Sequence, residues 1–231
     1  MEESAEQVRG QRVRDMGPDL GAVFNELWDD IAWLHAKWNL YRQLYARSPE
    51  RIAFLNKVAS HFFGVVQDTL YEDVLLNLAR LTDPPQSGPG RDNLTLRSLP
   101  QLIADPALCS EMKRLVEAAR RACEAPRAWR HRHIAHRDLK LALASTSDPI
   151  PGAPSRAEIE AALHAIRAVL HRIEAHYRQP ETAYQYVIPA GGDADALVHY
   201  LREGFRAEEQ QMERFLQGEP ALEDPEPQDE I

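Results

Sequence analysis

The sequence predicts an all-α protein, an up-and-down helical bundle followed by one additional C-terminal helix. Three observations predict it. Apolar residues recur at alternating spacings of four and three over long stretches. The breaks between those stretches carry capping residues and prolines suited to a first helical turn. No run alternates apolar and polar residues as a half-buried strand does. Of the 231 residues 44% are apolar and four are tryptophan, so the chain can bury one large core.

The elements follow in order. Leu20, Phe24, Leu27, Ile31, Leu34, Trp38, Tyr41 and Tyr45 form one stripe of a long amphipathic helix. Trp28 and Trp38 lie near that stripe and are read as packing residues. Ser48 and Pro49 cap and start a second helix whose stripe is Ile52, Leu55, Val58, Phe62, Val66, Leu70, Val74 and Leu78. The segment TDPPQSGPGRDN, Thr82 to Asn93, holds three prolines and two glycines and is a loop. A short helix follows at 96–104. Asp105 and Pro106 open the next helix, which reaches Glu124, and Pro126 kinks or restarts it. Ser155 and Glu158 form a capping box before Ile159, Leu163, Ile166, Leu170, Ile173 and Tyr177. Asp193 caps a last helix through Leu197, Leu201, Phe205, Met212 and Phe215.

The organisation read from these signals has five parts. Residues 1–17 are a flexible N-terminus and 18–178 the bundle. Residues 179–192 are a linker, 193–217 the C-terminal helix, and 218–231 an acidic disordered tail. Cys109 and Cys123 are too far apart on one helix to bridge, about 21 Å, and are read as reduced thiols. Together with a polar N-terminus and no apolar run near the roughly 20 residues of a membrane span, they point to a cytoplasmic protein with no membrane partner.

The formal charge is −9, which excludes a general nucleic-acid glue. Its distribution is uneven. Residues 219–230 hold six acids and no base, whereas residues 120–140 hold seven bases and two acids. The densest part is WRHRHIAHRDLK, Trp129 to Lys140, with three arginines and three histidines. On an α-helix, with about 100° per residue, Arg130, His133, His136 and Arg137 share one face about 120° wide, and His131 points elsewhere. A solvated arginine face is the plain reading of such a segment. A zinc pair at His133 and His136 is a second, but the arginines repel a cation. The third is a phosphate site. Arginine offers a planar fork of donors to phosphate oxygens, and histidine moves a proton near neutral pH. Glu72, Asp73 and Asp83 are the candidate acid partners of the arginines, and Trp129 is read as packing the motif helix in place.

Arg130-His131-x4-His136 resembles the R-x(4–6)-H signature of the HEPN superfamily (higher eukaryotes and prokaryotes nucleotide-binding). The surrounding WRHRHIAHRD is similar to the R-N-K-x-x-A-H-x-D pattern of its abortive-infection AbiU-type branch. So are LARLTDPPQSGPGRDNLTLRSL, Leu78 to Leu99, and the later GGDADALVHYLREG. The resemblance spans roughly residues 20–205. It implies an HEPN-like helical bundle, a homodimer with the motif at the subunit interface, and a metal-independent endoribonuclease without cofactor. Arg130 and His136 are then the catalytic pair. His131, Arg132, His133 and Arg137 support the site or contact RNA. It also implies phage defence or a toxin–antitoxin setting, with an antitoxin or regulator as a further partner. Arg132 and His131 stand where this branch often has lysine and asparagine. A binding module without catalysis, which needs the arginines but not His136, is the alternative. A structural dimer whose arginines pair with acids is a third.

Overall fold

Helices begin where the sequence supplies caps. A computed structural model describes residues 4–135, 152–178 and 192–217. Helix α1 (Ala5–Met16) starts from a capping box of Ser4 and Gln7. Helix α2 (Pro18–Tyr45) follows after Gly17, whose positive φ of 86° turns the chain. Ser48 caps α3 (Pro49–Arg80) by accepting from the Arg51 N–H. After a small hairpin and a 3₁₀ turn (Leu96–Leu102), Asp105 caps α4 (Pro106–Ala122). Helix α5 (Glu124–Trp129) runs into a π-helical stretch, Arg130–Ala135. Ser155 and Glu158 make the capping box of α6 (Arg156–Tyr177), and Asp193 caps α7 (Ala194–Leu216). The chain is an all-α bundle. No helix among the described residues is long and apolar enough to cross a membrane.

One core joins α2, α3, α4 and α6. The stripe of α2 is buried from Leu20 through Trp38, and it meets Val74, Leu75 and Leu78 of α3, Met112 and Val116 of α4, and Ile159, Ile166 and Ile173 of α6. Burying each such side chain contributes roughly 1.5–3 kcal/mol before the entropy of ordering the chain is counted. A second cluster sits at the α2–α3 end, where Leu44, Tyr45, Leu55 and Phe63 receive Ala194 and Val198 of α7. There Asp193 accepts from Gln43 at 2.8 Å, and Arg47 and Arg51 both pair with Asp195.

Four expectations change. Residues expected to form a flexible terminus include α1, which is docked rather than free. Arg12 is buried, pairs with Glu174 at 3.6 Å, and lays its guanidinium over Trp28 at 4.5 Å. Gly21 allows this approach, because a Cβ there would stand 2.6 Å from the Val13 Cα. The α3 stripe is broken at Ala59 (φ −158°, ψ 73°), which shifts the register. Just after the break Phe63 is buried and Phe62 is 60% exposed, while Val74 and Leu78 are buried as expected; Ile52, before the break, is 37% exposed. The 82–93 loop contains a two-stranded antiparallel ribbon, β1 (Gln86–Gly88) and β2 (Arg91–Asp92), turned at Gly90 with φ 69°. The helix expected to reach Glu124 stops at Ala122, and Pro126 occupies the third position of the new helix, where its missing donor breaks no hydrogen bond. Residues 179–191 of the expected 179–192 linker and the acidic tail lie outside the described residues.

Two outcomes follow from this packing. Gly21→Ala forces backbone atoms of α1 away and should destabilise the protein by about 1–3 kcal/mol in urea unfolding, with faster proteolysis before residue 17. His35 is buried in α2, and burial first, then the charges of Arg167 and His171, lower its pKa to about 4. The unfolded imidazole binds its proton near pH 6.5, so the unfolded state holds more protons between pH 4 and 6.5. Stability is full above pH 6.5 and falls as pH drops towards 4. Relative to His35→Leu, the wild type should lose about 3 kcal/mol over that interval, at about 1.4 kcal/mol per pH unit.

Candidate functional site

The site begins where α3 ends. Thr82 turns its hydroxyl back to the carbonyls of Leu78 and Ala79, at 3.2 and 3.1 Å, and Pro84 after Asp83 blocks any further helical turn. The hydroxyl of Thr95 then donates to the carbonyls of Leu81 and Asp83, both at 2.9 Å, while the Leu96 N–H bonds the Leu81 carbonyl at 3.0 Å. Thr82 and Thr95 are both buried. The segments RLTD and NLTL therefore fasten each other, and the backbone of Asp83 is fixed from both sides.

Onto this fixed carboxylate come two arginines. Arg127 of α5 approaches the Asp83 Oδ1 at 3.0 Å, and its Nη1 also donates to the Thr82 hydroxyl at 3.3 Å and the Ala79 carbonyl at 3.4 Å. Arg130 grips the same carboxylate as a fork, Nη1 to Oδ2 at 2.7 Å and Nη2 to Oδ1 at 3.3 Å. The three side chains are 22–27% exposed, so the pairing is screened less than on an open surface. Two guanidinium charges against one carboxylate leave a net +1. Each arginine carries five N–H donors, and Asp83 occupies only part of them.

Arg130 opens a π-helical stretch rather than continuing an α-helix. Bonding from i to i+5 puts more residues in each turn, so the 100° step on which the expected face of Arg130 and His133 rests does not hold there. His133 instead stacks on Trp129, with centroids 3.8 Å apart and planes 22° apart. Its Nε2 is buried without a hydrogen-bond partner among the described residues. Trp129 is half-buried against the main core, in line with its reading as packing. His131 and Arg132 are exposed. His136 and Arg137 lie outside the described residues.

Of the three acids named from the sequence, Asp83 meets Arg130, while Asp73 pairs with Lys37 at 2.7 Å. Arg127 was not singled out by motif reading. Its signal was present, since it stands three residues before Arg130 and so shares a helix face with it. Cys123 lies beside Thr82 and Arg127. It is buried, and desolvation pushes its thiol up to about 12 despite a hydrogen bond with Thr82 and the charge of Arg127.

The family model described as AbiU2, a HEPN type, matches residues 17–197. This interval contains the RLTD and NLTL segments and the basic motif, and ends within the first turn of α7. No curated protein and no solved structure shows significant similarity to the chain.

The thiols provide a check on this packing. Cys109 is half-buried and Cys123 enclosed. Iodoacetamide at pH 8 should modify Cys109 in the folded protein and Cys123 only after unfolding, as read by peptide mass. Rapid labelling of Cys123 in the native state would contradict the closed junction.

Proposed function

Because the chain belongs to the AbiU2 family of HEPN proteins, we propose that it is a metal-independent endoribonuclease whose site is completed at a homodimer interface. The observation that carries the reading is the Arg130 fork. A motif arginine stands partly exposed, fixed by an acid, with donors left for a second anion. A phosphodiester fits that description better than a carboxylate does, because its oxygens accept from several guanidinium edges at once.

In the proposed reaction His136 removes the proton of a ribose 2′-hydroxyl. The 2′-oxygen attacks phosphorus, the P–O5′ bond breaks, and an imidazole of the second copy returns a proton to the leaving oxygen. Arg130 holds the phosphate and stabilises charge that grows on its oxygens in the transition state. The products carry a 2′,3′-cyclic phosphate and a 5′-hydroxyl. Arg132 and His131, both exposed in the motif segment, and Arg137 contact flanking phosphates in this reading. His133, stacked on Trp129, serves to set the motif helix in place. A cytoplasmic protein in phage defence or a toxin–antitoxin pair, controlled by an antitoxin or regulator, fits this chemistry.

One specific observation favours a second reading. Asp83 already neutralises part of Arg130, as it would in a module that binds phosphate or nucleotide without cleaving. The histidine separates the two. Incubation of total RNA with the purified protein in excess EDTA should yield fragments with cyclic-phosphate ends. Arg130→Ala and His136→Ala should each reduce the rate by about 10²-fold or more. Retained RNA binding with no cleavage by a folded wild-type dimer would establish the binding module instead.

A further inference from the structure

The geometry of the arginine pair goes one step further, within the same phosphate-site reading. We infer that Asp83 is the positioning residue of this site and that Arg127 is its second phosphate contact. Asp83 aligns Arg127 and Arg130 into a two-guanidinium clamp, and an RNA phosphate binds the donor edges that the carboxylate leaves open.

Donor accounting supports this arrangement. Arg130 meets Asp83 end-on, through Nη1 and Nη2, which leaves the edge formed by Nε and the outer Nη2 hydrogen. Arg127 makes its contacts with Asp83, Thr82 and Ala79 through Nη1, so Nη2 and Nε are without a partner among the described residues. Both guanidinium groups are held at one end and open at the other. Their anchor is rigid, because the Asp83 carbonyl is bound by Thr95 and the Thr82 hydroxyl receives Arg127. A flexible arginine pays rotamer entropy on meeting a phosphate, whereas these two have already lost it. Arg127 lies outside the R-x5-H signature, so it is a contact that the signature alone does not supply.

Asp83 then has two opposed effects. Its negative charge repels an incoming phosphate, and its fork orients the arginines that must meet the transition state. Removing only the charge separates the two. Asp83→Asn should bind a fluorescein-labelled single-stranded RNA of mixed sequence about fivefold more tightly, roughly the size of one screened charge contact. With the protein in saturating excess over RNA it should cleave about tenfold more slowly or worse, because misplaced groups lose transition-state contacts. Asp83→Glu, which keeps the charge, should recover part of the rate and return the affinity towards wild type. A side chain that merely supports the fold would lower both properties together, or neither.

Anisotropy titration and single-turnover cleavage read the two effects separately. Weaker or unchanged RNA binding by folded Asp83→Asn overturns the proposal, whatever the rate does. If the wild type does not cleave RNA, the nuclease reading fails by itself, and tighter binding by Asp83→Asn still supports the clamp. If Asp83→Asn does not fold, Arg127→Gln decides. Loss of one phosphate contact should reduce the slope of log Kd against log salt by about 0.7, and an unchanged slope rejects Arg127 as a contact.

Discussion

The carboxylate of Asp83 meets two guanidinium groups at the point where α3 stops, and the placement of the basic motif depends on that meeting. Without the carboxylate, Arg127 and Arg130 would bring like charges together in a half-buried place, which disfavours the packing of α5 against α3. With it, the end of one helix and the start of another become a single unit. The Thr95 hydroxyl makes the unit stiff by holding the Asp83 backbone, and the buried Cys123 lies beside Thr82 and Arg127. A few polar contacts thus turn hydrophobic packing, which fixes only approximate positions, into a defined orientation of one arginine.

The rest of the molecule supplies the platform. Apolar stripes of α2, α3, α4 and α6 meet in one core, and that core sets where α3 ends. At the opposite end, α7 is fastened by acids at its first turn, Asp193 and Asp195, to Gln43, Arg47 and Arg51. Farther along it Phe205 meets Phe54 edge-on at 6.1 Å and lies under the Lys57 ammonium. Most of α7 follows residue 197, where the family match ends, although its first turn lies inside the match.

The caps were legible in the sequence because capping is local chemistry. Ser48, Asp105, Ser155 and Asp193 each accept from a backbone N–H of the first turn, as their side chains and the following residues imply. The α2 stripe was legible because nothing interrupts its period. The α3 stripe was only half legible, since no proline or glycine announces the break at Ala59, and one residue of phase decides between Phe62 and Phe63. Helix α1 was missed because what docks it, the Arg12–Glu174 pair, joins residues far apart in the chain. In the site, the motif identified Arg130 but not its geometry. The π-helical turn has no signal in local periodicity, and the contacts of Arg127 with Thr82 and Ala79 join residues 45 and 48 positions apart in sequence.

The central claim is that Asp83 and Arg130 are energetically coupled, and a double-mutant cycle on stability measures that directly. Unfolding free energies of the wild type, Asp83→Ala, Arg130→Ala and the double variant isolate the pair from each side chain's other contacts. A fork that is mostly shielded from water predicts a coupling of about 1–2 kcal/mol, above the range of open surface pairs. Additive effects, with a coupling below about 0.3 kcal/mol, would mean that the carboxylate does not hold the arginine and that its orientation comes from elsewhere.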